Sequence, residues 1–234
     1  MTSRFAMAAA LLLAGCGGGG TGNVSMDPAT PSPGTSGTPG TTTPAVAPTR
    51  NALNGRIDKA LTLQDSLSTL SQTTNANLPI SGSSTFAGSA LMAIDRGTTS
   101  YSMVGNSRLN VNFKTQTMTG AITNVEGRRA DNTTFAAPGK ITYGNAAFGD
   151  AGQAGLFTVD YAGNLKVDND TISMSGKALG AFKGNRSGTA IPPQGIQAVD
   201  GTTGTAITKE TGARMTAKLN GAPAAGQIAI TGKN

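Results

Sequence analysis

The chain has 234 residues, with 33 Gly, 11 Pro, one Cys, no His, no Trp and only 4% aromatic residues. Without histidine there is no imidazole general base, no Ser-His-Asp triad and no His-ligated zinc, and a single thiol excludes an internal disulfide. Charged residues at 13% and a net charge of +6 fit neither a coiled coil nor a charge-rich unfolded chain.

The chain opens as a targeting segment. Arg4 supplies a positive start, and Phe5 to Leu13 is an unbroken apolar run too short to span a bilayer as a helix. The run ends in Leu13-Ala14-Gly15-Cys16, which resembles the bacterial lipobox: small residues at 14 and 15 suit a peptidase cutting before Cys16, the residue that receives the lipid. Residues 1–15 are thus expected to be a signal peptide and Cys16 the lipidation site, which is also the only cysteine. Cleavage removes Arg4 and takes the formal charge from +6 to +5. Several acyl chains on one residue anchor stably, at ~0.8 kcal/mol per buried CH₂. Gly17, where Asp would favour the inner membrane, points to the outer one.

Residues 16–50 read as a disordered tether. From Gly17 to Arg50 there are two charged residues (Asp27 and Arg50), no aromatic and six prolines, too little apolar surface to offset chain entropy. As a coil this stretch spans roughly 30–35 Å. The competing reading is a polyproline ligand for a partner.

Residues 51–75 form the next unit, an amphipathic helical flank. Leu53, Ile57, Ala60 and Leu61 recur at steps of three and four, with Leu67 and Leu70 continuing the stripe to about Ser71. Asn51 is the expected N-cap, and Leu63, off the stripe, suggests a broken or bent helix. Arg56, Asp58, Lys59 and Asp65 make no basic stripe for anionic lipid, so the apolar face is expected to pack on the domain.

Over residues 76–234 the period becomes two. Phe86, Gly88, Ala90, Met92 and Ile94 alternate with smaller or polar residues, and residues 108–123 read as a hairpin turning at Thr115-Gln116. Further runs fall near Lys140–Phe148, Gly155–Tyr161, Asn164–Val167, Thr171–Phe182, Gly188–Ile191, Thr205–Thr208, Ala213–Asn220 and Gln227–Thr231. Turn signals include Gly163-Asn164, Asp168-Asn169-Asp170, Gly184-Asn185 and Pro192-Pro193-Gln194-Gly195. Many short strands without intervening helices predict a mainly β, antiparallel, closed and soluble barrel. A membrane-spanning barrel is not expected. The aromatics are too few for two girdles, the runs look shorter than the ~9–11 residues that crossing needs, and the chain ends in Gly232-Lys233-Asn234 rather than an aromatic strand.

The order of parts, with Leu78-Pro79-Ile80-Ser81-Gly82-Ser83-Ser84-Thr85-Phe86-Ala87-Gly88 entering the first strand, resembles bacterial surface lipoproteins carrying the transferrin-binding protein B type β-barrel domain, which factor H-binding protein also resembles. Leu109-Asn110-Val111-Asn112-Phe113 with Met118-Thr119-Gly120-Ala121-Ile122, and Ile172 to Phe182, are similar to two strand pairs of that family, and the chain diverges after Phe182. The resemblance implies an eight-stranded barrel, a lipid anchor in the outer membrane and exposure at the cell surface. It implies capture of a host or environmental protein or ligand, and no binding residue carries over.

Charge is uneven. Asn51 to Gly176 holds nine Lys/Arg and nine Asp/Glu, whereas Lys177 to Asn234 holds seven against two. Lys183, Arg186, Lys209, Arg214 and Lys218 are the candidate basic patch for an acidic partner, the alternative being a solubilising surface. Nucleic acid is not expected, since no aromatic follows Phe182. Arg128-Arg129 reads as a loop tip beside the Asp131-Asn132 turn. Asp168-Asn169-Asp170 reads as a turn rather than a calcium loop, lacking the later bidentate Glu. Met92, Met118 and Met174 read as core rather than haem ligands. The scattered carboxylates show no paired spacing, so catalysis is not expected, nor a metal or cofactor. The expected function is a monomeric, lipid-anchored binding lipoprotein at the cell surface. The second reading is a structural envelope lipoprotein facing the periplasm.

Overall fold

The computed structural model describes residues 46–148, 155–185, 191–202 and 215–234. Cys16 and the tether up to residue 45 lie outside the described residues. The amphipathic stripe forms α1 (Arg50–Ser68), whose N-terminus is capped by Thr49, the hydroxyl accepting Ala52 N–H at 3.3 Å. The cap is therefore two residues earlier than the expected Asn51, because Thr49 keeps extended backbone (φ −67, ψ 152) while Asn51 is already helical.

Of the expected broken or bent helix, the break is absent: the helix is uninterrupted from Arg50 to Ser68. Leu63 finds its own place, since a Cβ on Gly88 would lie 2.9 Å from Leu63 Cδ2 and glycine leaves that space free. Leu53, Ile57, Ala60 and Leu67 are buried as the helix crosses the outer wall of the barrel, with contacts to the strands Ser83–Arg96, Thr99–Asn112, Gly195–Gly201 and Ala222–Lys233. Arg56 fixes the helix near its start: one Nη donates to Asn106 Oδ1 (3.0 Å) and to the Asn124 carbonyl (2.9 Å), and the other pairs with Glu126. Farther along, Gln197 Nε2 donates to the Gln64 carbonyl at 2.7 Å. Among the described residues no helix is long and apolar enough to cross a membrane.

The barrel comprises β1 (Ser83–Arg96), β2 (Thr99–Asn112), β3 (Thr117–Arg129), β4 (Thr134–Ala137), β5 (Gly139–Phe148), β6 (Leu156–Val167), β7 (Asp170–Lys183), β8 (Gly195–Gly201), β9 (Thr216–Leu219) and β10 (Ala222–Lys233). Every pairing is antiparallel, and β1 closes on β10 from Ala87↔Lys233 to Asp95↔Ala225. The barrel has eight strand positions because two of them are split. β4 and β5 both pair with β3 on either side of Pro138, and β8 and β9 both lie between β7 and β10. The expected eight-stranded closed barrel is thus the observed fold.

Alternation decides what faces inward. Phe86, Ala90, Met92 and Ile94 of β1 meet Tyr101, Met103, Leu109 and Val111 of β2 in one continuous core that β3 to β10 complete. Met92, Met118 and Met174 belong to this core. The expected hairpin is present, with Asn112 paired to Thr117 and Asn112 Oδ1 accepting the N–H groups of Lys114 and Thr115 at 3.1 Å each.

Several boundaries differ from expectation. Residues 156–167 form one strand, so Gly163-Asn164 is no turn. A Cβ on Gly163 would collide with the Lys140 carbonyl of β5, so the glycine serves close strand approach. β8 begins at Gly195, inside the segment read as a turn. Residues 188–190 and 205–208, read as strand, lie outside the described residues, and Ile191 is in no strand.

The strands are also longer than the sequence runs suggested, six of them having 12 to 14 residues, so length is no argument against spanning a membrane. Chemistry is the better one. Asn106, Arg108 and Asn110 on β2 and Asp160, Asn164, Lys166, Ser175 and Lys177 on β6 and β7 point outward, where a lipid-facing wall would carry an apolar band.

Candidate functional site

Four connections meet at one end of the barrel, after β1, β3, β6 and β9. Two features that looked unrelated in the sequence, Arg129 and the Asp168-Asn169-Asp170 turn, come together there. Arg129 closes β3 and forms an ion pair with Asp168 across the mouth. Its guanidinium lies 5.2 Å from the Phe135 ring centroid and 5.9 Å from that of Tyr101, and these two rings meet edge to face at 5.4 Å. Tyr101 is fully buried near the start of β2, and its hydroxyl donates to Asp170 Oδ2 at the start of β7. β2 and β7 stand opposite each other in the ring of eight positions, so this bond ties wall to wall. Asn220, in the turn before β10, donates to Asp170 Oδ1 at 2.6 Å and accepts Thr171 N–H at 2.8 Å.

The electrostatics follow from these contacts. Hydrogen bonds from Tyr101 and then Asn220 hold the Asp170 carboxyl below its usual range. Burial, reinforced by the neighbouring Asp170, pushes the Tyr101 phenol up to about 12. Asp131, fully exposed, is lowered by the Thr133 backbone N–H, which its Oδ1 accepts at 2.9 Å. At neutral pH the mouth therefore presents the ionised carboxylates of Asp131 and Asp170, a neutral phenol, and an arginine already shared between a third acid, Asp168, and two rings. A cleft of about 370 Å³ opens here, lined by Thr98, Thr99, Ser100, Arg129 and Asp131 above Tyr101. Such an arrangement holds polar groups at fixed positions. Asp168 and Asp170 turn toward Arg129 and Tyr101, and among the described residues no three acidic or thiol groups gather as a metal site.

A second polar cluster lies inside the wall. Asp200 continues the inward alternation of Ile196 and Ala198 and is 1% exposed. Its Oδ2 accepts the Tyr161 hydroxyl at 3.0 Å and Lys177 N–H at 3.0 Å, while Oδ1 accepts Gly201 N–H at 2.8 Å. Burial first, and the Asp200 charge second, push the Tyr161 phenol far above its ordinary range. Gly176 makes the pair sterically feasible, since a Cβ there would lie 2.6 Å from the Tyr161 hydroxyl and closer still to Asp200. The substitution Gly176→Ala is therefore expected to destabilise the barrel by about 1–3 kcal/mol in urea unfolding. An unchanged midpoint would show that the pair is free to move aside.

Of the five basic residues, Arg186, Lys209 and Arg214 lie outside the described residues. Lys183 ends β7 and pairs with Gly195, whereas Lys218 of β9 pairs with Ser173, ten positions earlier on β7. At the rise of a strand that separates the two by roughly 30 Å, so they do not share one patch. Lys218 instead borders an outer groove of about 390 Å³ floored by Ala162, Gly163, Asn164, Ser173 and Ser175. Tyr101, Asn220 and Asp200 were missed by sequence reasoning. Only Asp200 left a signal, as an acid in phase with inward-facing apolar residues. No protein-family model, curated protein or solved structure matches this chain.

Proposed function

We propose that this protein is a lipid-anchored binding lipoprotein of the outer membrane, of the transferrin-binding protein B-like barrel type, which captures a protein or other ligand at the cell surface. One observation carries the reading: the only cysteine of the chain stands at the last position of a lipobox, ahead of a proline-rich tether that leads to a closed barrel. The barrel supports it in a second way. Its interior is filled by a continuous core, which leaves recognition to the outer wall and the loops rather than to a lumen. The polar outward face is suited to water, and the clefts at the mouth and beside Lys218 are surface features.

Two measurements on cells producing the full chain test this. Cys16→Ser is expected to move the protein from the membrane to the soluble fraction, and continued membrane partitioning overturns the anchor. Protease added to intact cells is expected to remove the barrel of the wild-type chain. Complete protection, with the Cys16 anchor intact, would turn the reading to a structural lipoprotein facing the periplasm.

A further inference from the structure

The split between β8 and β9 has an exact length. Along β10, three positions separate Gln227 from Ala224, yet their partners Gly201 and Ala217 are sixteen residues apart. Along β7, four positions separate Leu179 from Ser175, whereas their partners Val199 and Thr216 are seventeen apart. Two independent ladders thus give the same excess of thirteen residues. The facing of side chains agrees, because Ile196, Ala198 and Asp200 point inward before the gap and Ala217 and Leu219 after it. Met215 also reaches the core, a Cβ on Gly226 standing 2.7 Å from its Cε.

We infer that residues 202–214 are a thirteen-residue insertion into one continuous barrel strand, and that the barrel is complete without them. The rim of the gap is mended by side chains. Thr202 N–H donates to the Gly226 carbonyl at 2.9 Å, as a strand residue would, but Gly226 N–H is taken by Thr202 Oγ1 at 3.1 Å. On the other flank Lys177 N–H goes to Asp200 Oδ2. Side-chain oxygens take the two N–H groups that carbonyls of an uninterrupted strand would accept, so neither N–H loses its partner at the gap. Joining Gly201 to Met215 would place Met215 opposite Gly226, still facing inward, and restore an ordinary ladder pair. The inference is independent of what the protein binds.

The test compares two excisions in the full chain. Removing residues 202–214 keeps register, whereas removing 203–214 leaves one residue too many and forces a bulge or a reversed β9 face. The in-register excision is expected to fold cooperatively, with a thermal midpoint within about 4 °C of the full chain or above it. The twelve-residue excision is expected to melt at least about 4 °C lower than the thirteen-residue one. Failure of the in-register chain to fold, or equal midpoints for the two excisions, overturns the inference.

Discussion

Phe182→Ala is expected to lower the unfolding free energy by about 3–5 kcal/mol. The ring is fully buried and is shared by four others, with centroids at 4.9 Å (Phe157), 5.4 Å (Phe148), 5.7 Å (Phe113) and 6.2 Å (Phe86). These phenylalanines belong to β1, β5, β6, β7 and the turn after β2, so one ring links most of the circumference at the end opposite the Tyr101 mouth. Two effects add: lost transfer free energy, and a cavity whose lining strands cannot collapse because the barrel is closed. Denaturant unfolding reads the loss directly. Phe182→Leu, which keeps most of the volume, should recover about half of it. A loss below about 1 kcal/mol for the alanine variant would mean that this end is not close-packed.

The second large effect is alkaline. All three tyrosines of the chain are buried with raised phenol pKa values. Burial raises Tyr143 and Tyr161 strongly and takes Tyr101 up to about 12. Once unfolded, each ionises near pH ~10. The neutral phenols therefore contribute stability in full below pH ~10, and that stability is withdrawn as pH rises toward 12, because the unfolded chain releases protons the fold retains. With three such groups the slope reaches about 4 kcal/mol per pH unit, enough to consume an ordinary domain stability within about one to four units. Since the chain has no Trp, tyrosinate absorbance reports these groups alone. The expected titration is one steep step coincident with loss of the β-sheet circular dichroism signal. Gradual ionisation near pH ~10 with the sheet intact would refute it.

What the sequence made legible follows from how each feature is encoded. The first three strands could be read because apolar residues alternate without interruption from Phe86 to Ile94 and from Leu109 to Phe113, and a short polar turn joins the latter to Met118. β8 was hidden because Gly195 to Gly201 is short, starts beside Pro192-Pro193 and carries an acid at an inward position. β6 was cut in two because Gly163-Asn164 has turn chemistry, while its glycine serves close packing against β5. The mouth cluster was illegible for a different reason. Tyr101, Arg129, Asp170 and Asn220 come from four distant parts of the chain, and only barrel closure makes them neighbours. Arg129 and the 168–170 turn were visible as separate polar spots, yet no local pattern links them.

The seam between β1 and β10 also bears on how the protein is made. β1 pairs on one side with β2, its immediate successor, but on the other with β10, whose residues come 130 to 146 positions after their partners, from Asp95↔Ala225 to Ala87↔Lys233. Until β10 has been synthesised, the Ala87–Asp95 edge has no partner, and α1 lacks part of the wall on which it lies. Contacts of such sequence separation form slowly. A nascent chain therefore stays open for most of its synthesis, and an open chain is the form that can be threaded through a membrane before it closes into a ring.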